Sequence, residues 1–350
     1  MSMRSTMQPA SLIPKGVATL LPEAVRARRE IEKKIFSVFF RARYAEVITP
    51  MFEYLDTFLP TSGEELLQRA YKFVDRATGR IMVLRPDVTP QIARMAATLL
   101  GEREKPLRLC YGAALFRHEE EHAGRERETF QMGGELIGAS DAAADVEIIT
   151  LAIDILKALR LGSFKIVLGQ IAFIRGVLKP FVSQPLLFRR ILSCVAKKET
   201  ARLTTLLNEA GVRTPLKKQV LALPGLYGEA AIQKEAASLT KDPLCHAALQ
   251  RLNEVVTLLM QKGYEQHLFI DLGEVRGFDY YTGITFEIVA DGVGVELGGG
   301  GRYDHLLEKF GAASPCIGFA LHIERIQQAM EARAAIKGRR SRPAPTQTKR

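Results

Sequence analysis

Residues 107–138 constrain this chain more than any other stretch. The segments 107–117 and 130–138 both read as strands, and the residues between them are charged or polar except for Ala123. Two such segments predict an antiparallel pair carrying a long polar loop. Upstream, Val25, Ile31, Ile35, Phe36, Phe39 and Phe40 recur at helical spacing with charges between them, predicting an amphipathic helix over 22–43. Ile81-Met82-Val83-Leu84 reads as a strand ending at Arg85-Pro86. Thr89-Pro90 then supplies an N-cap and a first-turn proline for a helix reaching about Leu100.

A helix over 141–160 and a strand at 164–168 come next. Between 184 and 262 strand character disappears, and apolar positions recur every three or four residues. Strands return at 268–272, and 284–290 with 293–297 are joined by Asp291-Gly292, a two-residue hairpin signature. A last helix is expected over about 319–335. The pattern predicts an α+β domain on an antiparallel sheet, over 17–182 and 263–336, interrupted by a helical insertion at 183–262. A mobile N-terminal arm (1–16) and a basic, disordered tail (337–350) are expected at the ends.

The charge agrees with that division. The net charge is +10, but Lys337, Arg339, Arg340, Arg342, Lys349 and Arg350 supply six of the 49 basic residues with no acidic residue among them. The remaining 43 basic residues nearly balance 39 acidic ones, which speaks against a nucleic-acid surface on the body. No apolar run is long enough for a membrane span, and no secretory leader is visible. Cys110, Cys194, Cys245 and Cys316 are scattered, which argues against a zinc site or disulfide framework and for a reducing cytoplasm.

On the 130–138 strand Gln131, Gly133 and Glu135 share one face, and two polar groups flanking a gap suit a ligand's amine. Arg85, Asp87 and Thr89 have the same spacing, with Thr89 open to two readings, a helix cap or a ligand contact. Arg117 carries a planar fork of donors suited to a phosphate or carboxylate. Read alone, each also fits a surface ion pair or a capping group. In 275–283, Tyr280 and Tyr281 lie between glycines with Arg276 and Asp279 nearby, as in a small polar pocket with aromatic walls, or as in a plain turn. The run Gly298-Gly299-Gly300-Gly301 permits close backbone approach to a ligand but matches neither a P-loop nor a dinucleotide fingerprint. The six histidines show no metal-ligand spacing, and no nucleophile with a paired base stands out; no cofactor or metal is expected.

Together these pieces are more specific. Phe116-Arg117-His118-Glu119, Gly124-Arg125-Glu126-Arg127 and Gln131 with Glu135 resemble the second signature motif of class II aminoacyl-tRNA synthetases, and Gly318 to Arg325 resembles the third. Arg276 to Gly283 resembles the histidine-specific signature of histidyl-tRNA synthetases. The resemblance spans about residues 15–335. It implies a six-stranded antiparallel sheet flanked by helices, a homodimer and a helical insertion.

Three departures point away from a working synthetase. Few residues follow Arg325, so no anticodon-binding domain is expected; Glu119-Glu120-Glu121-His122 places carboxylates where ATP phosphates would lie; and His322 stands where the family usually has glycine at the adenine pocket. Residues 85–94 resemble instead the paralogues that serve as regulatory subunits of ATP phosphoribosyltransferase. That resemblance implies a non-catalytic subunit joining a short catalytic subunit in a hetero-oligomer at the first step of histidine biosynthesis, with histidine as inhibitor and no specific tRNA binding. It also implies a histidine pocket of Asp87, Thr89, Arg117, Gln131, Glu135, Arg276, Tyr280 and Tyr281, and a vestigial nucleotide contact at Arg325. In it the acidic groups would meet the α-ammonium, an arginine the carboxylate and the tyrosines the imidazole. The alternatives are a histidine-activating enzyme lacking an anticodon-binding domain and, on the tail alone, an RNA-binding remnant.

Overall fold

The computed structural model describes residues 12–61, 63–118, 126–278 and 280–340, with side chains through Ala334. Residues 1–11 of the expected arm, the Glu119-Glu120-Glu121-His122 run, Asp279 and residues 341–350 of the expected tail lie outside the described residues.

In chain order the elements are α1 (Pro22–Arg41), β1 (Ala45–Glu46), β2 (Phe52–Tyr54), α2 (Glu64–Gln68), β3 (Lys72–Val74), β4 (Ile81–Leu84), α3 (Thr89–Thr98), β5 (Leu107–Phe116) and β6 (Glu128–Ile137). Then come α4 (Ala142–Ala158), β7 (Phe164–Gln170), α5 (Ile171–Leu178), α6 (Pro185–Ala196), α7 (Thr200–Glu209), α8 (Thr214–Ala222), β8 (Tyr227–Gly228), α9 (Ile232–Leu239) and α10 (Pro243–Gln261). The chain ends in β9 (Leu268–Asp271), β10 (Ile284–Ala290), β11 (Gly298–Arg302), β12 (Cys316–His322) and α11 (Ile323–Arg340).

The main sheet has the order β1-β5-β6-β12-β11-β10-β7-β9-β8. Its middle six strands, β5 to β7, are antiparallel as expected; the flanks are not, since β1 joins β5 and β9 joins β7 in parallel. A separate small sheet, β2-β4-β3, stands apart from it. One face of the main sheet carries the larger apolar core, with α1, α4, α5 and α10, and that core continues without a break into α6 and α7. The other face is covered by α3 and the turn 306–310, around Tyr111, Ile92 and Tyr303.

Four expectations change. The second hairpin strand is 298–302 rather than 293–297, because β10 pairs Ile288 with Gly298 and the intervening residues form a longer loop than Asp291-Gly292 alone. Residues 316–322 form β12, so the last helix starts at Ile323, and it runs through Arg340 into the stretch assigned to the tail. Within the insertion, Tyr227 and Gly228 form a short strand on β9. The end of the arm is pinned, since Arg127 N donates to the carbonyl of Gly16 at 2.6 Å. Among the described residues, no helix is long and apolar enough to cross a membrane.

One buried ion-pair network ties these layers together. Asp145 on α4 has no exposed surface and accepts from Arg302 Nε at 2.8 Å and from Arg251 Nε, on α10, at 2.7 Å. Arg302 also reaches Asp304 and the carbonyl of Ala139. Removing one partner of such a group leaves buried charge uncompensated. Asp145→Ala is expected to lower the unfolding free energy by about 3–5 kcal/mol, measured by chemical denaturation; a loss below about 1 kcal/mol would contradict this account.

Candidate functional site

The strand register builds a floor with little on it. Opposed residues in antiparallel strands share a face, so Leu109, Glu135, Gly318, Gly301 and Thr285 form one row across β5, β6, β12, β11 and β10. The neighbouring row is Tyr111, Gly133, Ala320, Gly299 and Glu287. Strands lie about 4.8 Å apart, so the glycines open a gap of about 14 Å between Glu135 and Thr285. A pocket of about 390 Å³ lies over this gap.

Two of the glycines are required by close approach. A Cβ on Gly318 would overlap the Glu135 carboxylate, and one on Gly301 would lie 2.9 Å from the ring of Tyr281. Gly318 on β12 admits Glu135, and Gly301, in a run 298–301 that forms a strand, admits Tyr281.

All eight residues singled out for the ligand pocket line this one pocket: Asp87, Thr89, Arg117, Gln131, Glu135, Arg276, Tyr280 and Tyr281. Arg325 does not; its Nη1 donates to Glu296 Oε1 and to the Glu296 carbonyl, each at 2.8 Å. Thr89 is the first residue of α3 and does not cap it. Its hydroxyl donates to Glu135 Oε1 at 2.9 Å, while its backbone N–H donates to Asp87 Oδ1 at 3.3 Å. Arg85 belongs to the frame, with Nε on the carbonyl of Ala114 and Nη1 on that of Thr49.

The inner half is neutral and aromatic. Glu135 is 1% exposed, and its second oxygen accepts from the hydroxyl of Tyr303. Burial pushes its carboxyl up to about 8, against the two hydroxyl hydrogen bonds that favour the ionised form. Tyr280 stands between Tyr281 and Tyr303, with ring centroids 5.0 Å and 5.1 Å away. Among the described residues its hydroxyl is buried without a hydrogen-bond partner, the kind of group a polar ligand satisfies.

The outer half is ionic. Arg117 donates from Nε to the carbonyl of Pro86 at 2.8 Å, and burial raises the pKa of neighbouring Asp87 against its attraction to Arg117. Arg276, expected near a ligand carboxylate, is held by Glu287 at 2.6 Å and Glu296 at 3.3 Å. Burial and the charge of Glu274 push Glu287 up to about 7. His322 Nε2 lies 3.3 Å from the side-chain nitrogen of Gln131, its partner in register. Burial, reinforced by Arg325 and Arg117, pushes His322 down to about 3 and keeps it neutral.

Tyr303 and Glu287 were missed as pocket residues. Both were within reach, since Thr285 and Glu287 alternate along β10, and alternation from Gly299 through Gly301 leads to Tyr303 once 298–302 is read as a strand. Nothing in the sequence marked Glu296. Among the described residues, no group of His, Cys, Asp or Glu could hold a metal ion.

A family model described as histidyl-tRNA synthetase matches residues 16–326. The chain belongs to the histidyl-tRNA synthetase family. Within it, a Moorella thermoacetica protein named ATP phosphoribosyltransferase regulatory subunit is 43% identical over 316 residues, covering 90% of this chain and 80% of that protein. A Geobacter metallireducens protein of the same name is 38% identical over 330 residues, covering 94% and 76%. A Bacillus halodurans C crystal structure, described as an ATP phosphoribosyltransferase regulatory subunit/histidyl-tRNA synthetase, has a TM-score of 0.84 at 31% identity, covering 91% of this chain and 83% of that one. The class II synthetase fold and the resemblance to the regulatory-subunit paralogues, both read from the motifs, are borne out.

The raised Glu135 gives a pH signature. Its folded value lies above the ordinary 4.5, so the stability it contributes is full below about pH 4.5 and is lost as the pH rises through about 8. Glu135→Gln is expected to flatten the decline of unfolding free energy between about pH 5 and pH 9 relative to wild type. Equal slopes in denaturant titrations across that range would contradict a neutral Glu135.

Proposed function

We propose that the chain is a non-catalytic regulatory subunit of ATP phosphoribosyltransferase. It joins a short catalytic subunit in a hetero-oligomer, self-associates as a dimer and acts in the cytoplasm at the first step of histidine biosynthesis. The observation that carries this reading is a pocket with an intact amino-acid half beside an outer half in which two of three arginines are already engaged. Thr89, Gln131 and Glu135 present polar groups on one side, while Arg325 and Arg276 are both bound to Glu296. The names of the relatives at 38–43% identity point the same way.

In this reading the pocket takes histidine and does no chemistry on it. Asp87, Gln131 and Glu135 meet the α-ammonium, Arg117 takes the carboxylate as a charge-assisted pair, and Tyr280 and Tyr281 enclose the imidazole. An ammonium beside Glu135 draws the carboxyl to its ionised form, so binding releases a proton near neutral pH. Feedback then requires histidine to favour one arrangement of the complex, a coupling of typically about 1–3 kcal/mol.

The experiment is phosphoribosyl-ATP formation by a purified short catalytic subunit from the same source, with and without this protein, then with added histidine. Activity that appears on mixing and falls with histidine is expected. No change on mixing would overturn the proposal, and histidine-dependent ATP–pyrophosphate exchange by the isolated chain would favour an activating enzyme instead. Thr89→Ala is expected to weaken histidine binding by about tenfold, or about 1.4 kcal/mol, in calorimetry on the complex. Undiminished affinity would move the histidine site elsewhere, with the subunit interface the next place to look.

A further inference from the structure

Three guanidinium groups gather around the outer end of the pocket, and one carboxylate holds two of them. Glu296 takes Arg325 on Oε1 at 2.8 Å and Arg276 on Oε2 at 3.3 Å. Arg117 stands on the same side, and the Arg325 charge is near enough to lower the proton affinity of both Arg117 and His322. Among the described residues, no carboxylate lies within ion-pair distance of Arg117. Planar guanidinium forks in such a group match the oxygens of a phosphate chain. Here the receptor is already filled, and Glu296 itself lines the pocket. Burial works to raise the pKa of Glu296, but the Arg325 hydrogen bond and the two arginine charges outweigh it and hold the carboxyl below its ordinary value. It is therefore ionised throughout the neutral range.

We propose that Glu296 is a specificity-determining residue, an internal counter-anion that occupies Arg276 and Arg325 and so keeps polyphosphates out of a pocket that accepts a single carboxylate on Arg117. A phosphate chain entering this end meets a carboxylate at contact range and finds two of the three cations neutralised, so it gains little and is repelled. A small ligand with one carboxylate needs only Arg117. The inference deepens the reading of this pocket as an amino-acid site and rests on it: the same wall that rejects nucleotides leaves the inner half open.

The test is calorimetric titration of inorganic tripolyphosphate into the full chain, as wild type, Glu296→Gln and Glu296→Ala. An inorganic chain leaves out contacts to a base, including those of His322. Each variant is expected to bind tripolyphosphate at least about tenfold more tightly than wild type. Adding Arg276→Ala and Arg325→Ala together is expected to abolish the gain. Wild-type affinity equal to that of the variants, or a gain that survives loss of both arginines, would overturn the proposal. Folded wild type decides the matter even if a variant fails to fold, because tight tripolyphosphate binding there is incompatible with the clamp. Histidine titrated into the same wild-type sample separates the two readings: histidine binding without a tripolyphosphate gain in the variants sinks this inference alone, and absent histidine binding counts against the amino-acid pocket.

Discussion

A carboxylate with no exposed surface sets the arrangement of this molecule. Asp145 on α4 is out of water, and burying that charge is tolerable only because Arg302 and Arg251 meet it at 2.7–2.8 Å in fixed geometry. Arg302 lies at the end of β11, so the pair bolts the sheet to α4; Arg251 brings in α10, the last helix of the insertion. Arg302 also organises the pocket. Its carbonyl accepts from Thr282 N at 2.6 Å, which fixes the end of the segment carrying Tyr280 and Tyr281. The next residue along, Tyr303, puts its hydroxyl on Glu135.

The pocket that results has two unlike halves. Inside, Glu135 is held by the hydroxyls of Thr89 and Tyr303 and is kept neutral by burial, surrounded by tyrosine rings. Outside, Arg276 is paired with Glu287 and Glu296, and Arg325 with Glu296. A neutral, aromatic interior that can become an anion when a cation arrives suits an amine or imidazole, whereas a ring of closed ion pairs offers little to a second anion. The family fold supplies the frame for both halves, and the difference lies in a few side chains on β10, the loop before β11 and the start of α11.

Much of the site was legible in the sequence for a local reason. Strand side chains alternate with period two, so Gln131, Gly133 and Glu135 had to share a face once 130–138 was read as a strand. Asp87 and Thr89, at the start of α3, and Tyr280 and Tyr281, in a turn, lie outside any strand, and only the fold brings them to the same pocket as Gln131 and Glu135. Alternation failed where the composition hid the element. The four glycines in a row suggest only close backbone approach to a ligand, because no side chain there reports a strand; the strand they form needs glycine because a Cβ would meet the carbonyl oxygens of neighbouring strands. Residues 319–322 read as the start of a helix, since Phe319, Ile323 and Ile326 fit a helical stripe as well as a strand followed by a helix.

What the sequence by itself determined is which residues can face a ligand and the order of strands and helices that brings them near, because periodicity and turn chemistry act over a few residues. Only the tertiary structure decided their partners. Thr89 pairs with Glu135 across 46 positions, and Arg325 with Glu296 across 29. Whether Thr89 caps a helix or holds a carboxyl, and whether Arg325 faces a ligand or an internal glutamate, depends on sheet register and on how much water each group loses. Neither quantity is written in any local stretch of the chain.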